Sequence, residues 1–157
     1  MSKINHVPKT VSDLQTKPWR VVGFLLLACI FSNSTSRADE HTTLTPSASF
    51  TPQEVVQIVI EALGNNEAWG QDAGIATVYR FASPGNRAST GPLPRFTHMI
   101  KRGFSDMLDH EGSTYDPMEI EGDIAVQAVW LMTASGKEVG YAFQLGKQQD
   151  GDYRDMW

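Results

Sequence analysis

Three residues of this sequence combine an ionisable side chain with apolar neighbours, a combination that can support general acid–base chemistry. Tyr79 lies in "DAGIATVYRFA", on the same stripe as apolar residues at helical spacing. Asp72 begins that segment, and Asp155 alternates with two aromatic residues near the end of the chain. A carboxylate buried beside aromatic rings has a raised pKa and can act as a general base, with a tyrosine hydroxyl as proton donor. Tyr79, Asp72 and Asp155 are therefore the candidate catalytic residues.

Each of the three also has a structural interpretation. A tyrosine on the apolar stripe of a helix is most often a core residue whose hydroxyl has a hydrogen-bond partner. Asp72 stands where a helix N-cap is expected, and Asp155 would be solvated if its strand lies at a sheet edge. These interpretations favour a protein that is not an enzyme, and catalysis is the second hypothesis.

Two arginines mark a different kind of candidate site. Arg87 lies between "SPGN", which ends the second predicted helix, and "TGPLP", which positions the third, and Arg95 follows closely. A guanidinium offers a planar fork of N–H donors that fits a carboxylate or another anion. The alternative is an ordinary surface or salt-bridged arginine. Arg87 and Arg95 are the candidate ligand-binding residues.

The sequence has no pattern that indicates a metal or a cofactor. His110 lies between two acidic residues, but adjacent residues of an extended chain point apart, and no second His or Cys has ligand spacing. A Ser–His–Asp order, a phosphate-binding glycine loop and a zinc signature are all missing. Cys29 is the only cysteine and precedes the predicted domain, so the domain has no thiol nucleophile. We expect no metal and no cofactor.

Residues 1–38 have the three-part order of a secretory signal peptide. Cationic "KPWR" precedes the eleven-residue apolar run "VVGFLLLACIF", and small residues up to Ala38 fit cleavage before Asp39. The sequence therefore predicts export, to the periplasm or the extracellular medium.

Two lesser alternatives concern the same apolar run. A membrane-spanning helix needs about 20 residues, which disfavours an uncleaved anchor. "LLAC" resembles a lipobox that would lead to acylation of Cys29, but the apolar run continues past the cysteine. We expect no stable membrane span after cleavage.

Cleavage at this point separates two opposite charges. Residues 1–38 hold five Lys/Arg and one Asp, a net charge of +4, whereas residues 39–157 hold eight Lys/Arg and seventeen Asp/Glu, a net charge of −9. Nucleic-acid binding needs a basic surface that neutralises phosphates, so an acidic mature domain disfavours that class. The partner is instead an unidentified small molecule or protein.

Helical periodicity fills the first half of the domain and strand periodicity the second. Residues 39–49 are polar and without periodicity, which predicts a disordered linker before one domain over residues 50–157. We predict helices over 51–64, 72–82 and 94–108, the first with a capping box and with Gly64 as its left-handed end. Short turns at "EGD", "ASGK" and "QDGD" then indicate an antiparallel meander that ends in the strand "YRDMW". The fold class is α+β, with three N-terminal helices packed on one face of a curved sheet.

Alternation along the two most apolar strands predicts which side chains face the core. In "DIAVQAVWLMT" the predicted inward set is Ile124, Val126, Ala128, Trp130 and Met132. In "KEVGYAFQLGK" it is Val139, Tyr141, Phe143 and Leu145.

The order of elements resembles the nuclear transport factor 2-like superfamily of cone-shaped α+β domains. "FASPGNR", "TGPLPRFTHMI" and the Trp, Gly, Tyr, Phe, Leu and Tyr-Arg residues spread from Trp130 to Arg154 resemble a bacterial family within it, the domain-of-unknown-function family 4864 (DUF4864). The resemblance covers roughly Thr51 to Trp157 and implies a cone with an incomplete last strand. Superfamily enzymes such as ketosteroid isomerase and scytalone dehydratase place acid and base groups inside the cone, but none of their residues aligns with a position here.

Three functions from different classes follow. The leading hypothesis is an exported, non-catalytic cone-fold module that binds a small ligand or a protein. The second is an isomerase- or dehydratase-like enzyme that uses Tyr79, Asp72 and Asp155. The third is an envelope structural protein that forms a homodimer through the exposed face of its sheet. The side chains that line the cone would discriminate among them.

Overall fold

The protein is described by a computed structural model that covers residues 2–4 and 44–157. Its helices are α1 (Pro52–Gly64), α2 (Ala73–Phe81), α3 (Pro84–Thr90) and α4 (Leu93–Gly103). Its strands are β1 (Ser2–Ile4), β2 (Gly112–Tyr115), β3 (Glu119–Glu121), β4 (Ile124–Met132) and β5 (Glu138–Gly146). Single 3-10 turns lie at Ser105–Met107 and Gly151–Tyr153. The α+β class is as predicted, whereas the signal cleavage site and Cys29 lie outside the described residues.

Helix α1 begins where the sequence predicts. The Thr51 amide donates to Glu54 Oε2 at 2.7 Å, and the Glu54 amide donates to Thr51 Oγ1 at 3.3 Å. These reciprocal bonds satisfy two amides near the helix start that have no partner within the helix, so the capping box is confirmed. Pro52 at the first helical position needs no such partner.

Gly64 is required for a reason other than the predicted left-handed helix end. The residue that caps α1 is Asn65, whose φ is −118° and whose amide donates to the carbonyls of Glu61 and Ala62. A Cβ at position 64 would lie 2.8 Å from the imidazole of His110. Glycine is therefore needed for the close approach of a neighbouring side chain.

The stretch predicted as a loop between the second and third helices contains a helix of its own. Ser83 Oγ accepts a hydrogen bond from the Asn86 amide at 3.1 Å, and Pro84 fills the first helical position, which together start α3. Helix α3 buries no residue and so has no apolar period to reveal it. The prediction of three helices was wrong because it did not include α3. The next helix, α4, ends at Gly103 and not at the predicted position 108.

The strands form one antiparallel sheet in the order β1-β5-β4-β2, with β3 also paired to β4. The segment before the "EGD" turn forms two strands, β2 and β3, and not one continuous strand, because Pro117 between them has no amide to donate to a ladder. The hairpin turns at Gly122 and at Thr133–Lys137 are as predicted: Glu121 pairs with Ile124, and Met132 pairs with Glu138.

The face of β4 that packs against the helices is opposite to the predicted one. Its buried residues are Ala125, Gln127, Val129 and Leu131, and its exposed apolar residues are Ile124, Val126 and Met132. The partner strand explains this arrangement, since Val129 pairs with Tyr141 and both lie in the core. Directly opposite residues of an antiparallel pair share a face, so the inward set of β5, predicted correctly, fixes that of β4.

Trp130 accordingly lies on the outer face of the sheet and not in the core as predicted. Its ring covers Gly140, where an added Cβ would come within 2.7 Å of the indole. Its Nε1 donates to Asp116 Oδ2 at 3.3 Å. Because Gly140, the cross-strand neighbour of Trp130, has no side chain, there is space for the indole ring.

The chain reverses at "QDGD" as predicted, but the last strand does not form. The amide of Gln148 donates to the Met156 carbonyl, and that of Asp155 donates to the Gln148 carbonyl, each at 2.8 Å. Between them lies the 3-10 turn Gly151–Tyr153, and Asp155 has a left-handed φ of 63°. The prediction that Asp155 shares a strand face with two aromatic residues was therefore wrong.

The main core lies between the helices and the inner face of the sheet. It contains Val56, Ile60, Leu63, Ile75, Phe96, Ile100, Met107, Val129, Leu131, Val139, Tyr141 and Phe143. A second cluster of Val55, Ile58 and Phe81 is covered by Trp157 from the C-terminal segment and by Leu44 from the stretch predicted as linker. The C-terminal segment thus packs beside α1 and α2, where it borders the cavity described next.

Candidate functional site

A cavity of about 460 Å³ lies between the helices, the inner face of β5 and the C-terminal segment. Small-molecule sites in proteins usually measure about 300 to 1,000 Å³. The walls are mostly apolar and consist chiefly of Val55, Val56, Val59, Leu63, Val78, Phe81, Phe96, Met99, Ile100, Phe104, Phe143, Leu145, Met156 and Trp157. None of the described residues that line it is charged.

The lining also contains residues with polar side chains. They are Ser83 and Asn86 at the start of α3, Gln144 in β5, and Gln148 and Tyr153 in the segment after β5. The exposed residues of the lining are Pro84, Asn86, Gln144 and Gly146, so the cavity reaches solvent beside the first turn of α3 and beside the end of β5. Mostly apolar walls with a few polar groups are the usual arrangement of a site for a small organic molecule.

Arg87 is not itself part of the described lining, but it follows the lining residue Asn86 directly and contacts the lining residue Tyr153. Its guanidinium carbon is 5.1 Å from the centroid of the Tyr153 ring, and Tyr153 itself lines the cavity. Such a cation–π contact holds α3 to the C-terminal turn. Among the described residues no carboxylate forms an ion pair with Arg87, which is half-buried.

Arg95, the other predicted ligand-binding arginine, is exposed on α4. Its side chain packs over Gly91, where an added Cβ would lie 2.9 Å from Arg95 Cδ. It is not part of the cavity lining within the described residues. The structure therefore associates the cavity opening with Arg87 and leaves Arg95 on the surface of α4.

Tyr79 has a structural partner at each end of its side chain. The hydroxyl donates to the Gly91 carbonyl at 3.2 Å, and the ring packs against Phe96 with centroids 5.3 Å apart. These contacts join α2 to the turn before α4.

Asp72 is ion-paired with Lys101, with Oδ1 and Nζ 2.6 Å apart. The hydrogen bond from Lys101 lowers the pKa of the Asp72 carboxyl, a bond from Asn66 adds to the effect, and burial opposes it. The same contact raises the pKa of Lys101. A carboxylate with a lowered pKa is a weaker proton acceptor, so this pair links α2 to α4 and is poorly suited to act as a general base.

Asp155 lies in the C-terminal turn with 66% of its side chain exposed, and its Oδ1 is 3.4 Å from Lys147 Nζ. Tyr79, Asp72 and Asp155 thus each contact a different partner. The structure does not bring the three together, and none of them lines the cavity formed by the described residues.

A family model matches residues 48–154, and its description is "Domain of unknown function (DUF4864)". This chain belongs to the DUF4864 family. The match runs from just before α1 to the end of the Gly151–Tyr153 turn and so includes most residues that form the cavity. No curated protein and no solved structure matches the chain.

A second recess of the DUF4864 domain is open and polar. It is lined by Gln57, Glu61, Gly64, Asn65, His110, Glu111, Gly112, Ser113 and Tyr115. His110 Nδ1 lies 2.9 Å from the Met107 carbonyl oxygen, so one ring nitrogen already has a partner. Within residues 2–4 and 44–157 no three His, Cys, Asp or Glu side chains converge as a metal site would require.

The sequence did not lead us to predict that Tyr153 of the DUF4864 domain contacts Arg87 and lines the cavity. The available signal was Gly151 two residues before Tyr153, because glycine readily adopts the positive φ of a turn, which is 66° here. In the part of the chain that the structure describes, none of the helices has the length and hydropathy of a membrane span.

Proposed function

We propose that this DUF4864 protein is a non-catalytic binding protein that holds a small, mainly apolar molecule in its cavity. The observation that carries the proposal is the lining itself, which is mostly apolar with a few polar side chains. Burial of a ligand's apolar surface there would supply the main part of the binding free energy.

The surroundings of the predicted catalytic residues support binding over catalysis. Tyr79 donates to a backbone carbonyl, Asp72 is paired with Lys101, and Asp155 is largely exposed. An isomerase or dehydratase would need a carboxylate and a hydroxyl within reach of one substrate. No observation on the described residues favours that alternative.

A matched pair of substitutions tests the binding proposal. Val78→Phe places a larger side chain in the cavity wall, whereas Val126→Phe makes the same change on the exposed face of β4. We expect Val78→Phe to weaken binding of the neutral fluorescent probe phenylnaphthylamine by about tenfold or more, and Val126→Phe to leave it within about twofold. Equal affinities of the two variants, with both shown to be folded by thermal melts, would contradict the proposal.

The exposed face of the sheet favours a second candidate function, homodimerisation. Ile124, Val126 and Met132 are 48%, 36% and 39% exposed, and they form one row along β4 with the half-buried Trp130. A contiguous apolar row of this kind is typical of an interface, here with a second copy of the chain. The side chains of the row point away from the core, and none of the four residues lines the described cavity, so both functions are compatible. Light scattering should then give the mass of a dimer, and that of a monomer for Val126→Lys.

We also infer that the domain is a nuclear transport factor 2-like cone and that the protein is exported from a bacterial cell. Helices that precede a meander sheet and enclose an apolar cavity against it support the first inference. The order of charged, apolar and small residues before Asp39 supports the second. Cleavage there would also remove β1 and leave the outer edge of β5 without a neighbouring strand.

A further inference from the structure

A cation contacts the lining of the cavity on the side where α3 begins. Arg87 is held over the ring of Tyr153, which itself lines the cavity. We propose that the ligand is an amphipathic carboxylate, whose apolar body fills the cavity and whose carboxylate binds the guanidinium of Arg87. This inference rests on the proposed function and names the chemical class of its ligand.

The distribution of charge around the cavity favours an anionic ligand over a cationic one. No side chain of the described lining carries a charge, so a ligand cation would find no carboxylate side chain inside. Asp150 and Asp152 belong to the same C-terminal turn as Tyr153, but both are exposed and neither forms an ion pair with Arg87. An anion at the opening would therefore meet the guanidinium first.

Arg87 differs in this respect from two lysines of the domain. Lys101 is paired with Asp72, and Lys147 is paired with Asp155. The guanidinium of Arg87 has an aromatic ring on one side and, among the described residues, no carboxylate partner. A half-buried cation of this kind gains most from an anion that arrives with the ligand, because water screens it less than it screens a fully exposed charge.

The shape of the guanidinium makes a carboxylate the fitting anion. Its planar N–H fork matches the two carboxylate oxygens, and its weak hydration lowers the cost of binding at the edge of an apolar cavity. Asn86, the residue before Arg87, belongs to the lining, and its side-chain amide has N–H groups that can donate to the same anion. Tyr153 acts as a positioning residue because its ring holds the guanidinium at the opening.

Two probes of equal chain length test the inference on the purified full chain. Decanoate and decanol share the apolar body and differ in the charged group. By calorimetric titration we expect the wild type to bind decanoate about tenfold more tightly than decanol, as a charge-assisted pair should. Arg87→Gln should remove that preference and leave the decanol affinity within about twofold. Arg87→Lys, which keeps the charge and loses the fork, should retain a smaller preference.

Arg95→Gln is the matched control, since it makes the same change of charge at an exposed arginine that packs over Gly91, whereas Arg87 contacts the lining residue Tyr153. If the wild type binds both probes equally, or if Arg95→Gln weakens decanoate binding as much as Arg87→Gln does, the carboxylate inference is wrong and the apolar binding site remains. If neither probe binds the wild type, the proposed function itself fails.

Discussion

At the scale of single residues, the Asp72–Lys101 pair should make stability depend on pH in a predictable direction. The pKa of Asp72 is lowered from its ordinary value of 3.8 by the hydrogen bond from Lys101. A group with a lowered pKa in the folded state stabilises the protein above its unfolded-state pKa, and this contribution is lost as pH falls through the folded-state value. The raised pKa of Lys101 has the converse effect at high pH, with stabilisation lost as pH rises through that raised value.

The substitution Asp72→Asn should therefore flatten the acid side of the stability curve. We expect the wild type to lose more stability than the variant between neutral pH and about pH 3, because only the wild type has this carboxylate to protonate. Thermal melts of both proteins across that range measure the difference. Parallel curves would contradict the role assigned to the pair.

At the scale of elements, the pairing of β4 with β5 explains which sequence patterns could be interpreted correctly. Both faces of β4 are apolar, so alternation alone does not distinguish Trp130 from Leu131 as the core residue. In β5 only one face carries large apolar side chains, and its orientation was predicted correctly for that reason. The capping box of α1 was recognisable because it is a local signal, whereas α3 has no buried face that would give it a period.

The same pairing predicts that two neighbouring substitutions lower the free energy of unfolding by different amounts. Leu131 is fully buried, and Leu131→Ala should lower the free energy of unfolding by about 2 to 5 kcal/mol. Trp130 is only half-buried on the outer face, so Trp130→Ala should cost less, about 1 to 2 kcal/mol, despite the larger side chain. Denaturant melts compare the two directly. In the monomeric Val126→Lys background, where no second copy covers the outer face, an equal or greater loss at Trp130 would contradict its position on that face.

At the scale of the whole molecule, the candidate site depends on contacts between distant parts of the chain. The helical stripes and the inner face of β5 could be predicted from the sequence, and they supply most of the apolar lining. The position of Tyr153 could not, because it depends on the C-terminal turn returning beside α3.

Export also belongs to this scale. N-terminal sequencing of protein from a secreting host should begin near Asp39, and an intact Met1 on the soluble protein would contradict the prediction of export.

The central claim, that a small apolar molecule occupies the cavity, is tested most directly by following methyl NMR signals during a titration with decanoate. The account predicts saturable shifts for Val59, Val78 and Leu145, which contact the cavity, and unchanged signals for Ile124 and Val126 on the outer face of β4. Shifts confined to the outer face, or no saturable shift at the cavity methyls, would contradict it.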